Sequence, residues 1–302
     1  MNSFLSIISI TLMYSAPLIF SALGGVISER SGVINIGIEG MMVTGAFWAT
    51  FTCCFTNNPW LGFLIGGISG SLLALFHAIA SVFLKADQTI SGVALNLIGP
   101  GLAFFFCGLL FDGKTATNPI TNKLPKIFGN NNFISEFMGV LNVDITVVIA
   151  LILTFVIWFF LYKTKWGLRV RAIGEHPVAA DALGINVLKL RALCVIVSGF
   201  LAGLGGSSVT LTISSQFNQT SISGQGFIAL AALIFGKWTP FGAYFACLFF
   251  GFSQALAINF GGYNFISPTL LSCLPYFFTL LALMFVGKSV SPKSNGIPYK
   301  KA

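Results

Sequence analysis

The sequence predicts an all-α, polytopic transmembrane helical bundle of about nine spans. Three observations lead there. Only 8% of the 302 residues are charged while 56% are hydrophobic; soluble domains carry about 25% charged residues. Apolar runs long enough to cross a hydrocarbon core, which takes about 20 helical residues, recur along the whole length. Glycines recur in helical register, with Gly62, Gly66 and Gly70 four apart and Gly199, Gly203, Gly205 and Gly206 clustered, as closely packed membrane helices require. Mean hydropathy is +0.90. A soluble enzyme, a disordered chain and a secreted disulfide scaffold are excluded.

The first span is predicted over residues 4–27, with Pro17 tolerated inside it. No Lys or Arg precedes it, so it reads as a retained span and not as a cleaved signal peptide. The second covers 41–56, with a possible start near 34, the third 60–84 and the fourth 93–111. A polar loop over 112–143 separates these from a fifth span at 145–162. The most polar stretch, 163–191, follows. Further spans are predicted over 192–211, 226–235, 241–258 and 269–286, with a basic tail from 288. The run 226–235 gives only about 15 Å of helix, so it either extends back towards Ser221 or is re-entrant.

Charge orients the bundle. Net charge is +8, and Lys and Arg concentrate in cytoplasmic segments of membrane proteins. Residues 163–191 carry Lys163, Lys165, Arg169, Arg171, Lys189 and Arg191, and the tail carries Lys288, Lys293, Lys300 and Lys301. Both are expected inside. The uncharged connections 212–223 and 259–267 suit the outside. The result is N-terminus out and C-terminus in. A basic chain of this kind is not a nucleic-acid binder. The six cysteines all fall in apolar runs, with no CxxC pair and no His at metal-ligand spacing; they read as packing residues.

Enzymatic chemistry finds little support. Gly287-Lys288-Ser289 ends like a phosphate-binding loop, but Ala282 stands where the first glycine is required. Ser69 sits in a Gly-x-Ser-Gly run, and His77 lies about 12 Å further along the same helix, too far to activate it. His77 reads as a helix–helix hydrogen bonder.

Polar groups within the spans are more informative. Glu39 lies in Gly32-Val-Ile-Asn-Ile-Gly-Ile-Glu-Gly40, where three glycines suggest a broken or closely approached backbone. An ionisable group at membrane depth is a functional candidate; the alternative is an interfacial Glu anchored by Arg30. Asn35 is four residues away and shares its face if the segment is helical. Asn96 is a similar case. One such carboxylate is thin support for a proton relay, which places the energy source on another chain. Within 163–191, Pro177 can open a short helix that Gly184 ends. An exposed helix of about two turns with small side chains suits the docking of a soluble partner.

The residues also resemble a known family. GLRVRAIGEHPVAADALGI at 167–185 and SGFLAGLGG at 198–206 resemble bacterial ABC importer permeases of the ribose, branched-chain amino acid and nucleoside branch. Val178 stands where many such loops have Glu. GGVISERSGVINIGIEGMMVTGA at 24–46 and GKWTPFGA at 236–243 resemble the nucleoside and simple-sugar permeases within it. The resemblance runs from about Gly24 to Ala255.

It implies one permease domain over 1–302, with a cytoplasmic coupling loop at 163–191. The expected setting is a bacterial inner membrane, with the C-terminus cytoplasmic. The chain would not be an enzyme and would carry no cofactor; ATP and Mg would belong to a partner ATPase. A second related permease and an extracytoplasmic substrate-binding lipoprotein would complete the importer. Gly174, Glu175, Ala179, Ala180 and Gly184 would form the docking loop, with Arg169 and Arg171 near the contact. Asn35, Glu39 and Asn96 would face the pathway. Nucleosides are the leading substrate class. A ribose-type sugar permease is the alternative within the class, and an ATPase-independent secondary carrier the alternative outside it.

Overall fold

A computed structural model describes residues 2–127, 143–260, 277 and 291–299. Among them are ten helices: α1 (Asn2–Arg30), α2 (Ile38–Thr56), α3 (Pro59–Ala78), α4 (Gln88–Leu110), α5 (Ile145–Lys163), α6 (Lys165–Glu175), α7 (Pro177–Ala182), α8 (Val187–Ser208), α9 (Gln225–Phe235) and α10 (Pro240–Phe260). α3 and α8 each continue into a wider π-helical turn, at Ile79–Phe83 and Val209–Ser214. The described residues include no strand, only an isolated bridge between Lys126 and Asp144. Seven of these helices are long and apolar enough to cross a membrane. The predicted span 269–286, Cys273 and the Gly287-Lys288-Ser289 run lie outside the described residues.

α8 is the axis of the bundle, and its glycines explain why. A Cβ on Gly203 would collide with the Gly66 carbonyl of α3, and one on Gly206 with the Met42 carbonyl of α2. One on Gly205 would lie 2.7 Å from the Pro17 carbonyl of α1. Three helices therefore touch α8 backbone to backbone. In a membrane, where lipid is as apolar as Leu, such close packing is what holds helices together. Pro17 withholds an N–H from the α1 ladder, and Ser21 Oγ donates to its carbonyl at 3.0 Å. α4 closes on α2 in the same way, with Gly99 lying against Gly40.

The connection after α4 was expected to be an irregular polar loop. Its described part is pinned to the far end of α8. Leu124 N–H donates to Leu211 O at 3.2 Å, Ile120 N–H to Ser215 O at 2.8 Å and Thr117 N–H to Phe217 O at 3.0 Å. α9 starts at Gln225, so it does not extend back to Ser221. Residues 215–224 instead descend as non-helical chain with Phe217 and Ile222 buried. The segment and α9 together run between two ends of the bundle: Phe217 is tied to Thr117 at one, and the Trp238 carbonyl accepts from Arg30 at the other.

Candidate functional site: the break between α1 and α2 and the segment 163–191

α1 ends at Arg30 and α2 begins at Ile38, and the seven residues between them are not helical. Backbone polar groups at membrane depth need partners, and irregular backbone survives there only when buried in protein. Side chains from four elements supply those partners. Ser28 Oγ donates to Val33 O at 2.7 Å. Gln88 Oε1 accepts from Ile34 N–H at 2.8 Å. Asn96 Nδ2 donates to Ile36 O and its Oδ1 accepts from Gly40 N–H, both at 2.9 Å. Arg191 Nε donates to Ser31 O at 3.1 Å.

His77 is fully buried, with Nε2 at 2.9 Å from Ile34 O and Nδ1 at 2.9 Å from Ser91 Oγ. A carbonyl only accepts, so Nε2 carries the proton and Nδ1 accepts from the Ser91 hydroxyl. The hydrogen-bonding reading of His77 holds. Ser69 Oγ donates to Gly66 O instead, at 2.8 Å.

Asn35 lies inside the break, so it does not share a helical face with Glu39. It is fully buried, and its Nδ2 donates to Ser198 Oγ at 3.0 Å. Its Oδ1 has no hydrogen-bond partner among the described residues.

Glu39 sits in the first turn of α2 and is only 9% exposed. Its two oxygens accept from Gly224 N–H and Gly226 N–H, each at 2.6 Å. Those N–H groups form the N-terminus of α9, where unpaired donors and the helix dipole favour an anion. The expected alternative, anchoring by Arg30, does not occur. Arg30 Nε donates to Trp238 O at 2.7 Å, at the opposite end of α9. The 11 residues of α9 separate those levels by about 16 Å, so Glu39 lies well away from the Arg30 end of the bundle.

The segment 163–191 contains one helix more than the sequence suggested. α6 buries Gly167, Val170, Ile173 and Gly174 and exposes Trp166, Leu168 and Arg169. Val170, Ile173 and Gly174 fall at i, i+3 and i+4, a short amphipathic signal hidden by the flanking charges. Thr164 Oγ1 caps α6 by accepting from Gly167 N–H at 3.1 Å. Gly174 packs onto the Arg30 carbonyl, which makes it a buried support and not a surface contact. Arg171 lies over the Tyr162 ring at 4.9 Å.

α7 is the predicted docking helix, six residues long with Pro177 in its first turn. It ends in a Schellman motif. Gly184 N–H donates to Asp181 O at 2.8 Å and Ile185 N–H to Ala180 O at 3.1 Å. Gly184 has φ +81°, the left-handed value that motif demands. Ala180 faces inward, whereas Val178, Ala179 and Leu183 are exposed, Leu183 at 83%.

Arg191 was expected among the solvated cytoplasmic cations. It is 2% exposed. Besides Ser31 O it donates to Ile297 O and Ser294 Oγ, both at 3.0 Å. Residues 291–299 thus fold back onto the junction of α1, α6 and α8. Ser294 N–H donates to Gly174 O at 2.9 Å, Lys293 N–H lies 3.5 Å from Glu175 Oε2, and Asn295 Nδ2 donates to Glu29 Oε2 at 3.0 Å. Trp238 Nε1 donates to the same Glu29 oxygen. Burial and a hydrogen bond to Asp181 of α7 hold the Tyr299 phenol above its ordinary pKa range.

The family model described as "Branched-chain amino acid transport system / permease component" matches residues 7–287. The chain is 45% identical to the guanosine ABC transporter permease protein NupQ of Bacillus subtilis, over 98% of this chain and 96% of that protein. It is 39% identical to the nucleoside ABC transporter permease protein NupC of Lactococcus lactis, over 100% and 98%. It is 37% identical to the putative glucose ABC transporter permease protein TsgC13 of Haloferax volcanii, over 84% and 77%. No solved structure matches. The chain therefore belongs to this family of ABC permeases: it is the multi-pass, non-catalytic permease component of an importer, it carries no cofactor of its own, and it works with an ATPase and a binding protein.

Proposed function

We propose that the chain forms the translocation path for nucleosides. The observation that carries the reading is near-full-length similarity to permeases named for guanosine and nucleoside transport. The chemistry of the break supports it. Asn35 Oδ1 is a buried acceptor with no partner among the described residues, and the Glu39 carboxylate is already occupied by α9. A neutral solute rich in N–H and O–H donors suits such a path better than an anion. On this reading the half-buried Asn96 lies nearest the pathway, while the buried Asn35 and Glu39 shape it from behind.

In the same proposal the chain is a single permease domain in a bacterial inner membrane, with its C-terminus cytoplasmic, paired with a second related permease. Substrate arrives on an extracytoplasmic binding lipoprotein. The ATPase docks on the exposed face of α7, through Ala179, Leu183 and Gly184, with Glu175, Ala180 and Gly174 supporting that face from within. Labelled guanosine uptake should depend on this gene and persist in excess unlabelled ribose or glucose. A simple-sugar importer, the reading that the glucose-named relative favours, would lose that uptake to sugar competition.

Gly184 tests the docking face. No neighbour lies within 4 Å of a Cβ placed there, so the obstacle to substitution is φ +81°, worth about 1–2 kcal/mol for an ordinary side chain. Gly184→Arg is expected to abolish uptake and ATPase co-purification while membrane insertion persists. Gly184→Asn, which tolerates the left-handed region, should retain most of both. Full uptake in the arginine variant would remove the loop from the coupling role.

A further inference from the structure

Two cavities run into one another where α5 ends and α8 begins. One, of about 330 Å³, lies beside the turn after α7 and is lined by Arg169, Lys189 and Asn186 together with Leu183 and Gly184 of that turn. The other, of about 500 Å³, is an apolar groove between α5 and α8 walled by Val156, Phe160 and Val197. Trp166, Leu190 and Leu193 line both. The shared residues make the two cavities one amphipathic trough, cationic at the mouth and apolar along its length. From Leu190 to Val197 it rises on the order of 10 Å along α8.

Its chemistry specifies an occupant. Neither Arg169 nor Lys189 makes an ion pair with a carboxylate among the described residues. The Arg169 guanidinium lies over the Trp166 ring at 4.9 Å, and Trp is the side chain that marks a membrane–water interface. Basic pockets between helices at such an interface suit anionic lipid headgroups. A soluble anion would use the mouth and leave the groove empty. A neutral apolar segment would fill the groove and leave two cations uncompensated. We propose that this trough binds one anionic phospholipid, its phosphate between Arg169 and Lys189 and one acyl chain between α5 and α8. Arg169 is then a lipid anchor at the edge of the proposed ATPase contact, because Leu183 and Gly184 wall the same mouth.

The test uses the full transporter complex in nanodiscs of mixed phosphatidylglycerol and phosphatidylethanolamine, with retained lipid identified by native mass spectrometry. The intact complex should keep phosphatidylglycerol. Arg169→Ala with Lys189→Ala should weaken that retention roughly 25-fold, about fivefold per cation, and leave phosphatidylethanolamine retention unchanged. Val197→Trp fills the groove and should release phosphatidylglycerol with both cations intact; ATPase co-purification checks that each variant is assembled. Equal phosphatidylglycerol retention in the intact and doubly substituted complexes would overturn the proposal. Displacement by inorganic phosphate would overturn it in favour of a free-anion site. A photo-crosslink from position 197 to the second permease would overturn it in favour of a subunit contact.

Discussion

Glu39→Ala is expected to abolish uptake and to lower the thermal stability of the purified complex by several degrees or more. The carboxylate holds two N–H groups at the start of α9 and is buried within the bundle. Each donor left unmade costs about 1–3 kcal/mol, and the helix dipole loses its compensating charge. Position matters as much as energy. Glu39 joins the start of α2 to the start of α9, and the two are 185 and 187 residues apart at the bonded groups. Without it, residues 215–224 lose the anchor that brings them into the bundle. Glu39→Gln keeps one acceptor oxygen but turns an NH2 towards the second N–H. It should fall between alanine and the parent in both uptake and Tm. An alanine variant with unchanged Tm and uptake would show that water or lipid headgroups reach this site.

Gly203→Val should prevent accumulation of the folded permease. A Cβ there meets the Gly66 carbonyl and would lie 3.1 Å from Gly67 Cα, so α3 and α8 would have to separate along their whole contact. Overpacking a tight core costs about 1–3 kcal/mol even when side chains can yield; here the obstacle is backbone, which yields least. Gly101→Ala is the matched control, because nothing lies within 4 Å of a Cβ at that position in α4. It should be neutral or slightly stabilising, since Ala exceeds Gly in helix propensity by about 1 kcal/mol. Membrane yield and Tm of the two variants measure the contrast. Similar behaviour would mean that close backbone packing does not hold this bundle together.

Hydropathy and register made most of the architecture legible. The predicted spans over 60–84 and 145–162 correspond to α3 with its π-helical turn and to α5 within a few residues, because length and apolarity are local properties. The glycine clusters were legible as packing surfaces for the same reason. Pro177 and Gly184 located α7 through rules that act over one turn. What escaped was non-local or masked by composition. Glu39 offered Arg30 as a sequence neighbour, yet its partners are backbone groups on another helix. Arg191 counted as one more cytoplasmic cation, and only the folded arrangement of Ser31, Ser294 and Ile297 explains its burial. α6 was overlooked because Lys165, Arg169 and Arg171 outweigh the short apolar stripe of Val170 and Ile173 in any average over the segment.

Arg191 also constrains the order in which the molecule can be completed. Its acceptors Ser294 and Ile297 lie 103 and 106 residues further along the chain. At about 5–20 residues per second of synthesis, the guanidinium is made roughly 5–20 s before them. Until then the buried charge has only its upstream acceptors, such as Ser31 O, and burying it half-satisfied is costly, so the start of α8 settles fully only when Ser294 and Ile297 arrive. The helices that cross the bilayer can insert one after another as they are translated. The knot of chain at the end of α1 is tied last.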